Sequence, residues 1–195
     1  MSTEEEKMIK GEPYNPSDPD LVAKRIKIRQ LVKKYNDLDP GCSAEERTAL
    51  FKEMVPNSGS NCFVEPPVNY DYGCNIHMGN NVYMNFNSII LDVCPVYIGN
   101  NCLFGPRASI YTATHPLDYK ARREWEYAKP IRIGDDCFIG ENVMICPGVT
   151  IGDRVVIGAG SVVCKDIPSD CVAVGNPCHV VKYLPKPEEE EKKDE

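Results

Sequence analysis

From Ile133 onward an aliphatic residue returns at every sixth position: IGDDCF, IGENVM, ICPGVT, IGDRVV, IGAGSV, VCKDIP. Ile or Val opens each hexad, and the fifth place holds only Cys, Val, Ser or Ile. The same frame runs upstream through MGNNVY, MNFNSI and ILDVCP from Met78, then IGNNCL, FGPRAS and IYTATH from Ile98. A two-residue insertion, Val96-Tyr97, resets it between the two sets. Strands alternate with period 2 and α-helices with 3.6, so six fits neither as one continuous element. It fits a short flat face followed by a corner. Three faces make a triangular coil of eighteen residues, its opening aliphatics stacked inward on their equivalents in adjacent coils. The Gly-Asp, Gly-Asn and Asp-Asp steps tolerate the backbone angles of a corner. Hexapeptide periodicity of this kind predicts a mainly β fold, a parallel β-helix.

Around the repeat lie segments of other character. Residues 1–60 read as a helical segment. Asp18-Pro19 has the form of an N-cap with Pro at N1. Behind it Leu21, Val22, Arg25, Ile28, Leu31, Val32 and Tyr35 fall at helical spacing. Ser43-Ala44-Glu45-Glu46 reads as a capping box, with Leu50, Phe51 and Met54 on one face after it. The β-helix occupies 61–184. After His115 the frame stops, and the charged, aromatic stretch 116–130 reads as an excursion loop. Loops thrown from a rigid solenoid commonly carry function. Residues 185–195 form an acidic, low-complexity tail expected to be disordered.

Charge narrows the partners. The net charge is -7, of which the tail supplies -3, and the mildly acidic body argues against a nucleic-acid surface. No apolar run approaches a membrane span, and the acidic N-terminus has no signal-peptide core. A cytoplasmic protein is expected. Its ten cysteines include no C-x-x-C pair, so plain thiols in a reducing compartment are expected rather than a metal or disulfide framework.

Only three histidines exist, His77, His115 and His179. Histidine suits proton transfer near neutral pH. His115 sits where the repeat breaks, ahead of Pro116, and is as fit for catalysis as for a structural corner. His77, just before the Met78 frame position, is expected at an exposed corner. Asn85 falls outside the inward frame and can bind substrate, steady an oxyanion or simply turn a corner. Asp92 is similar. Trp125, the only tryptophan, can stack on a sugar or nucleotide or anchor the loop. No Walker A, dinucleotide fingerprint or nucleophile elbow is present.

The segments EKMIKGEPY, DYGCNIHMGNNVYMNFN, LDVCPVYIGNNCLFGP, IYTATHPLD, PGVTIGDRVVIGAGSVVCKDIP and VGNPCHVVK resemble the maltose and galactoside O-acetyltransferases of the hexapeptide acyltransferase superfamily. The resemblance runs from about Thr3 to Leu184 and is closest to the maltose branch. It implies a left-handed β-helix, an exception to the right-handed crossover rule. It also implies homotrimers with active sites between subunits, acetyl-CoA as co-substrate and no metal. His115 matches the family's general base and Asn85 its transition-state site. Asp18, Arg25, Tyr83 and Asp92 match acceptor-side positions. Phe138, Glu141, Ala159, Cys164, Lys165, His179 and Lys182 fall on the acetyl-CoA groove. Relatives often carry Trp at Phe138, Ser or Gly at Glu141, and arginines at His179 and Lys182, departures that bear on cofactor affinity more than on activity.

The expected reaction is direct acetyl transfer to a hydroxyl of maltose, glucose or a galactoside. Three alternatives stand beside it. The acceptor can be an amino acid, an antibiotic or a lipo-oligosaccharide. The chain can be a non-catalytic scaffold, against which His115, Asn85 and Lys165 together argue. A zinc hydratase on the same solenoid needs three histidine ligands, and those at 77, 115 and 179 are far apart in sequence.

Overall fold

A computed structural model describes residues 2–185; all but Pro185 of the acidic tail lies outside the described residues. The solenoid has about six coils and three faces. Face 1 holds β3 (Ile76–Met78), β6 (Val96–Ile98), β11 (Ile131–Ile133) and β14 (Thr150–Ile151). Face 2 holds β1 (Phe63–Val64), β4 (Tyr83–Met84), β7 (Leu103–Phe104), β12 (Phe138–Ile139), β15 (Val156–Ile157), β17 (Cys171–Val174) and β18 (His179–Tyr183). Face 3 holds β2 (Val68–Tyr70), β5 (Ser88–Leu91), β8 (Ser109–Tyr111), β13 (Met144–Ile145) and β16 (Val162–Val163). Neighbouring strands are parallel except β17 and β18, which run antiparallel.

The inward frame is the one the hexads mark. Met84, Ile90, Ile110, Ile139 and Ile157 are fully buried, as are the fifth-place residues Val82, Cys102 and Val155. Corners between faces 1 and 2 take Asn81, Asn101 and Asp136 at φ near +55°, the left-handed region that short polar side chains tolerate. Their neighbours form a ladder between coils. Asn80, Asn100 and Asp135 each donate a main-chain N–H to the side-chain oxygen of Asn100, Asp135 and Asp153 respectively, at 2.6–2.9 Å.

The coil length differs from the expected eighteen. Eighteen separates Phe138 from Val156, but Tyr83 pairs with Leu103 and Ile89 with Ser109, twenty residues on. Val96 and Tyr97 are ordinary strand residues. The extra length recurs at one corner, from face 3 to face 1, in 71–75 and again in 92–95. The excursion loop leaves from that same corner. Its base is a small antiparallel pair of β9 (Ala113–Thr114) and β10 (Tyr127–Ala128). Buried polar side chains gather there because irregular backbone leaves main-chain groups to be satisfied. Asp92 accepts the amides of Asp71, Tyr72 and Asn75; Asn75 donates to the Asp92 carbonyl; Thr112 accepts from the Cys94 amide.

Three helices precede the coils: α1 (Glu4–Lys10), α2 (Pro19–Asn36) and α3 (Ala44–Met54). Asp18 caps α2 as its sequence suggests. Ser43 accepts the Glu46 amide at 3.1 Å, but the reciprocal capping box forms at Thr3 and Glu6 instead. Ile28, Leu31, Val32, Tyr35, Phe51 and Met54 continue the solenoid core and close its first coil. Asn36 does so with particular economy: its side chain donates to the Val68 carbonyl and accepts the Val68 amide, both at 2.9 Å, as a neighbouring strand would.

Candidate functional site

The candidate residues fall into two groups on one chain. The first follows face 2, whose outward register runs Phe63, Tyr83, Leu103, Phe138, Val156 and Val172. Phe63 and Tyr83 stack at 6.2 Å, and Leu103 and Phe138 are about half exposed. Exposed side chains on a strand are usually polar, so an apolar column of this length marks a surface meant to be covered. Beside it an open groove of about 520 Å³ runs along the corners between faces 2 and 3. Tyr83, Asn85, Phe138, Glu141 and Ala159 all line it. The backbone is close there because Gly140 leaves no room for a Cβ, which would fall 2.7 Å from the Ala159 nitrogen. The Asn85 side-chain oxygen accepts the Phe86 amide at 2.8 Å, leaving its NH2 group as the free donor. Arg107 spans to Glu141 at 3.1 Å on the rim. His179 and Lys182, both exposed, lie on β18 at the far end of face 2, Lys182 in register with Val172.

The groove is mostly apolar, and Gly105, Gly140, Gly158 and Ala159 line it with small residues. Cys164 and Lys165 stand apart from it. They are exposed at the corner between faces 3 and 1, on the opposite edge of face 3.

The second group lies on that other edge, around the excursion loop. His115 is exposed, and its Nε2 is 3.7 Å from Oε2 of Glu126, whose side chain is largely buried. The other Glu126 oxygen accepts a hydrogen bond from the buried Tyr14 hydroxyl. Arg25 donates to the Tyr72 hydroxyl and to the Pro16 carbonyl, each at 2.6 Å. Burial pushes the Asp71 carboxyl up, while Arg25 and Arg29 pull it back down. Trp125 is half-buried and tilted against Tyr127 at 6.0 Å. Asp18 spends an oxygen on the α2 amides of Asp20 and Leu21. Asp92 is fully buried beneath the 71–75 turn. His77 is not at a corner: it is the middle residue of β3, stacked on Tyr97 at 4.8 Å, with burial lowering its pKa. The face-1 strand continues through Met78, which places His77 on a flat face.

Sequence reasoning missed Glu126, Tyr14 and Asp71. Tyr14 and Glu126 are 112 residues apart, and no periodicity links them. The available signal was local: Glu126 is the acidic residue nearest the loop's return strand.

Similarities to known proteins agree with this layout. Residues 7–59 match the maltose acetyltransferase hexapeptide capping motif. Residues 130–165 match the bacterial transferase hexapeptide repeats, and 95–113 the hexapeptide repeat of succinyl-transferase. Galactoside O-acetyltransferase of Escherichia coli K12 is 43% identical over 180 residues, 92% of this chain and 88% of that protein. The crystal structure of a maltose O-acetyltransferase from Clostridium difficile 630 superposes with TM-score 0.93 at 44% identity, covering 95% of this chain and 99% of that one. A hexapeptide-repeat containing acetyltransferase from Vibrio cholerae O1 biovar eltor, complexed with acetyl coenzyme A, gives TM-score 0.87 at 38% identity, covering 95% and 100%.

Proposed function

The chain belongs to the maltose and galactoside O-acetyltransferase family, left-handed β-helix enzymes that use acetyl-CoA, and on that footing we propose that it acetylates a hydroxyl of a small sugar, with His115 as general base. The observation that carries the proposal is His115 at the mouth of the excursion loop with a carboxylate at 3.7 Å. A carboxylate facing the ring can orient it toward the acceptor hydroxyl.

Acetyl-CoA supplies an activated thioester carbonyl. The ring nitrogen of His115 left free by Glu126 removes the acceptor hydroxyl proton as the oxygen attacks that carbonyl; the C–S bond then breaks, and CoA leaves as the thiol with the proton that His115 returns. The Asn85 amide, its oxygen already engaged, donates to the oxygen on which charge develops. Tyr83 lines the groove beside Asn85. Arg25, Asp18 and Trp125 border the acceptor, and Asp92 acts by holding the 71–75 turn under it. Phe138, Glu141 and Ala159 take the pantetheine arm; His179 and Lys182 take phosphate.

Asn85 and His115 stand on opposite edges of face 3, which favours sites completed between copies in a homotrimer. Cys164 and Lys165 then meet the cofactor from the adjoining subunit. Ten unbridged thiols favour a reducing, cytoplasmic setting. The experiment is CoA release measured with glucose, maltose and a galactoside. Turnover with at least one supports the reading; hydrolysis alone, whatever the acceptor, overturns the sugar assignment.

A further inference from the structure

We propose that Tyr14 is a positioning residue for the transfer, holding Glu126 so that one carboxylate oxygen faces His115; this rests on His115 being the base. The two oxygens of Glu126 are divided. Oε1 takes the Tyr14 hydroxyl, and Oε2 faces His115 Nε2 at 3.7 Å. The same two residues are also joined through their main chains, Tyr14 N to Glu126 O at 3.1 Å and Glu126 N to Tyr14 O at 3.3 Å. An N-terminal residue is therefore locked to the loop twice, once by backbone and once by side chain.

The arm that carries Tyr14 is itself fixed. Met8 and Tyr14 are buried in a small cluster with Ala128 of β10. The Cys94 thiol donates to the Ile9 carbonyl at 3.2 Å. Gly11 adopts φ +75° and lies so near Ala128 that a Cβ would fall 2.6 Å from its carbonyl oxygen. Burial and the neighbouring Glu126 push the Tyr14 phenol well above its ordinary value, so it stays a donor across the working pH range. The bond to Tyr14 fixes the rotation of the carboxylate, and Oε2 is the oxygen it turns toward the imidazole. The other groups facing this pair are Tyr72 and Arg25 on the Tyr14 side, and Asp71 and Tyr72 on the Glu126 side.

The test compares Tyr14→Phe, Glu126→Gln, the double variant and His115→Ala, reading kcat, KM and the pH profile of kcat/KM. Tyr14→Phe should lower kcat about tenfold, which corresponds to about 1.4 kcal/mol, with KM for acetyl-CoA unchanged and the acid limb displaced. It should add nothing in the Glu126→Gln background. A wild-type profile in Tyr14→Phe overturns the proposal, as does an equal further loss in the Glu126→Gln background. Should Tyr14→Phe melt well below wild type, 3-fluorotyrosine at position 14 replaces it. That residue keeps the ring and strengthens the donor, so the acid limb should move to lower pH; an unmoved limb overturns the proposal. His115→Ala keeps the readings separate. If it retains activity, the base assignment falls and this proposal with it; if it is inactive while Tyr14→Phe behaves as wild type, only the Tyr14 assignment falls.

Discussion

Asp92 and Tyr72 meet across one coil: the Asp92 Oδ1 accepts the Tyr72 amide at 2.9 Å, and the Asn75 amide reaches the other oxygen at 3.2 Å. A carboxylate thus substitutes for the strand partner that an irregular corner lacks.

Burial, outweighing these hydrogen bonds, pushes the Asp92 carboxyl up to about 7. The folded state therefore holds a proton that the unfolded chain releases near the ordinary aspartate value, about 3.9. The stability linked to that proton is complete below about pH 4 and is lost as pH rises through 7. Melting temperatures of wild type and Asp92→Asn, measured from pH 5 to pH 8, should show wild type losing stability relative to the variant as pH rises. Parallel curves would refute this.

Replacement of His115 by Ala should cost about 10²–10⁴-fold in kcat, the usual worth of a general base. The side chain is more than half exposed, so the melting temperature should hold. Steady-state kinetics beside a thermal melt decide it, and near-full activity would remove the base assignment.

His115→Ala and Asn85→Ala chains, each inactive alone, should complement when dissociated together and reassembled. With each site drawing one residue from each of two neighbours, random mixing should restore about a quarter of wild-type activity, since both neighbours must contribute the intact residue. Sedimentation should report three chains of 21.8 kDa. A mixture as dead as its parents would place both residues in one chain's site.

The groove prediction concerns Ala159, exposed at a corner beside Gly160, whose own Cβ would meet open space. Ala159→Trp should raise KM for acetyl-CoA at least about tenfold, which corresponds to about 1.4 kcal/mol, and leave the fold intact. An unchanged KM would move the cofactor off this groove.

Gly140→Ala tests the stacking of corners. Its Cβ would lie 2.7 Å from the Ala159 nitrogen and 2.8 Å from the Ile157 carbonyl oxygen, both backbone. Overpacking of this kind costs about 1–3 kcal/mol, readable as a lower denaturant midpoint.

The inward frame was legible because one aliphatic every six residues has a single geometric meaning. Ile139, Ile145, Ile151 and Ile157 are all buried where the hexads place them. The twenty-residue coils were not legible as such. Two extra residues at one corner look like an isolated insertion until the register of Tyr83 with Leu103 shows that the corner repeats them. His115 could be found because the frame breaks beside it. Glu126 and Tyr14 could not, since their meeting depends on where an N-terminal arm crosses a loop 112 residues away. The apolar column from Phe63 to Val172 was hidden as well, because Tyr83, Leu103, Phe138 and Val156 each occupy the hexad's outward last place and are unremarkable alone.

At the last coil of face 2 the chain turns back, and β18 runs antiparallel to β17. Coils that stack by an identical rule have no intrinsic reason to stop, and an open last coil would offer its parallel edge to another copy's first. β18 covers that edge on face 2 with a strand of opposite direction. At the other end Asn36 occupies the Val68 main-chain groups that a further coil would use. A further coil would therefore find main-chain groups on face 2 at one end and on face 3 at the other already taken.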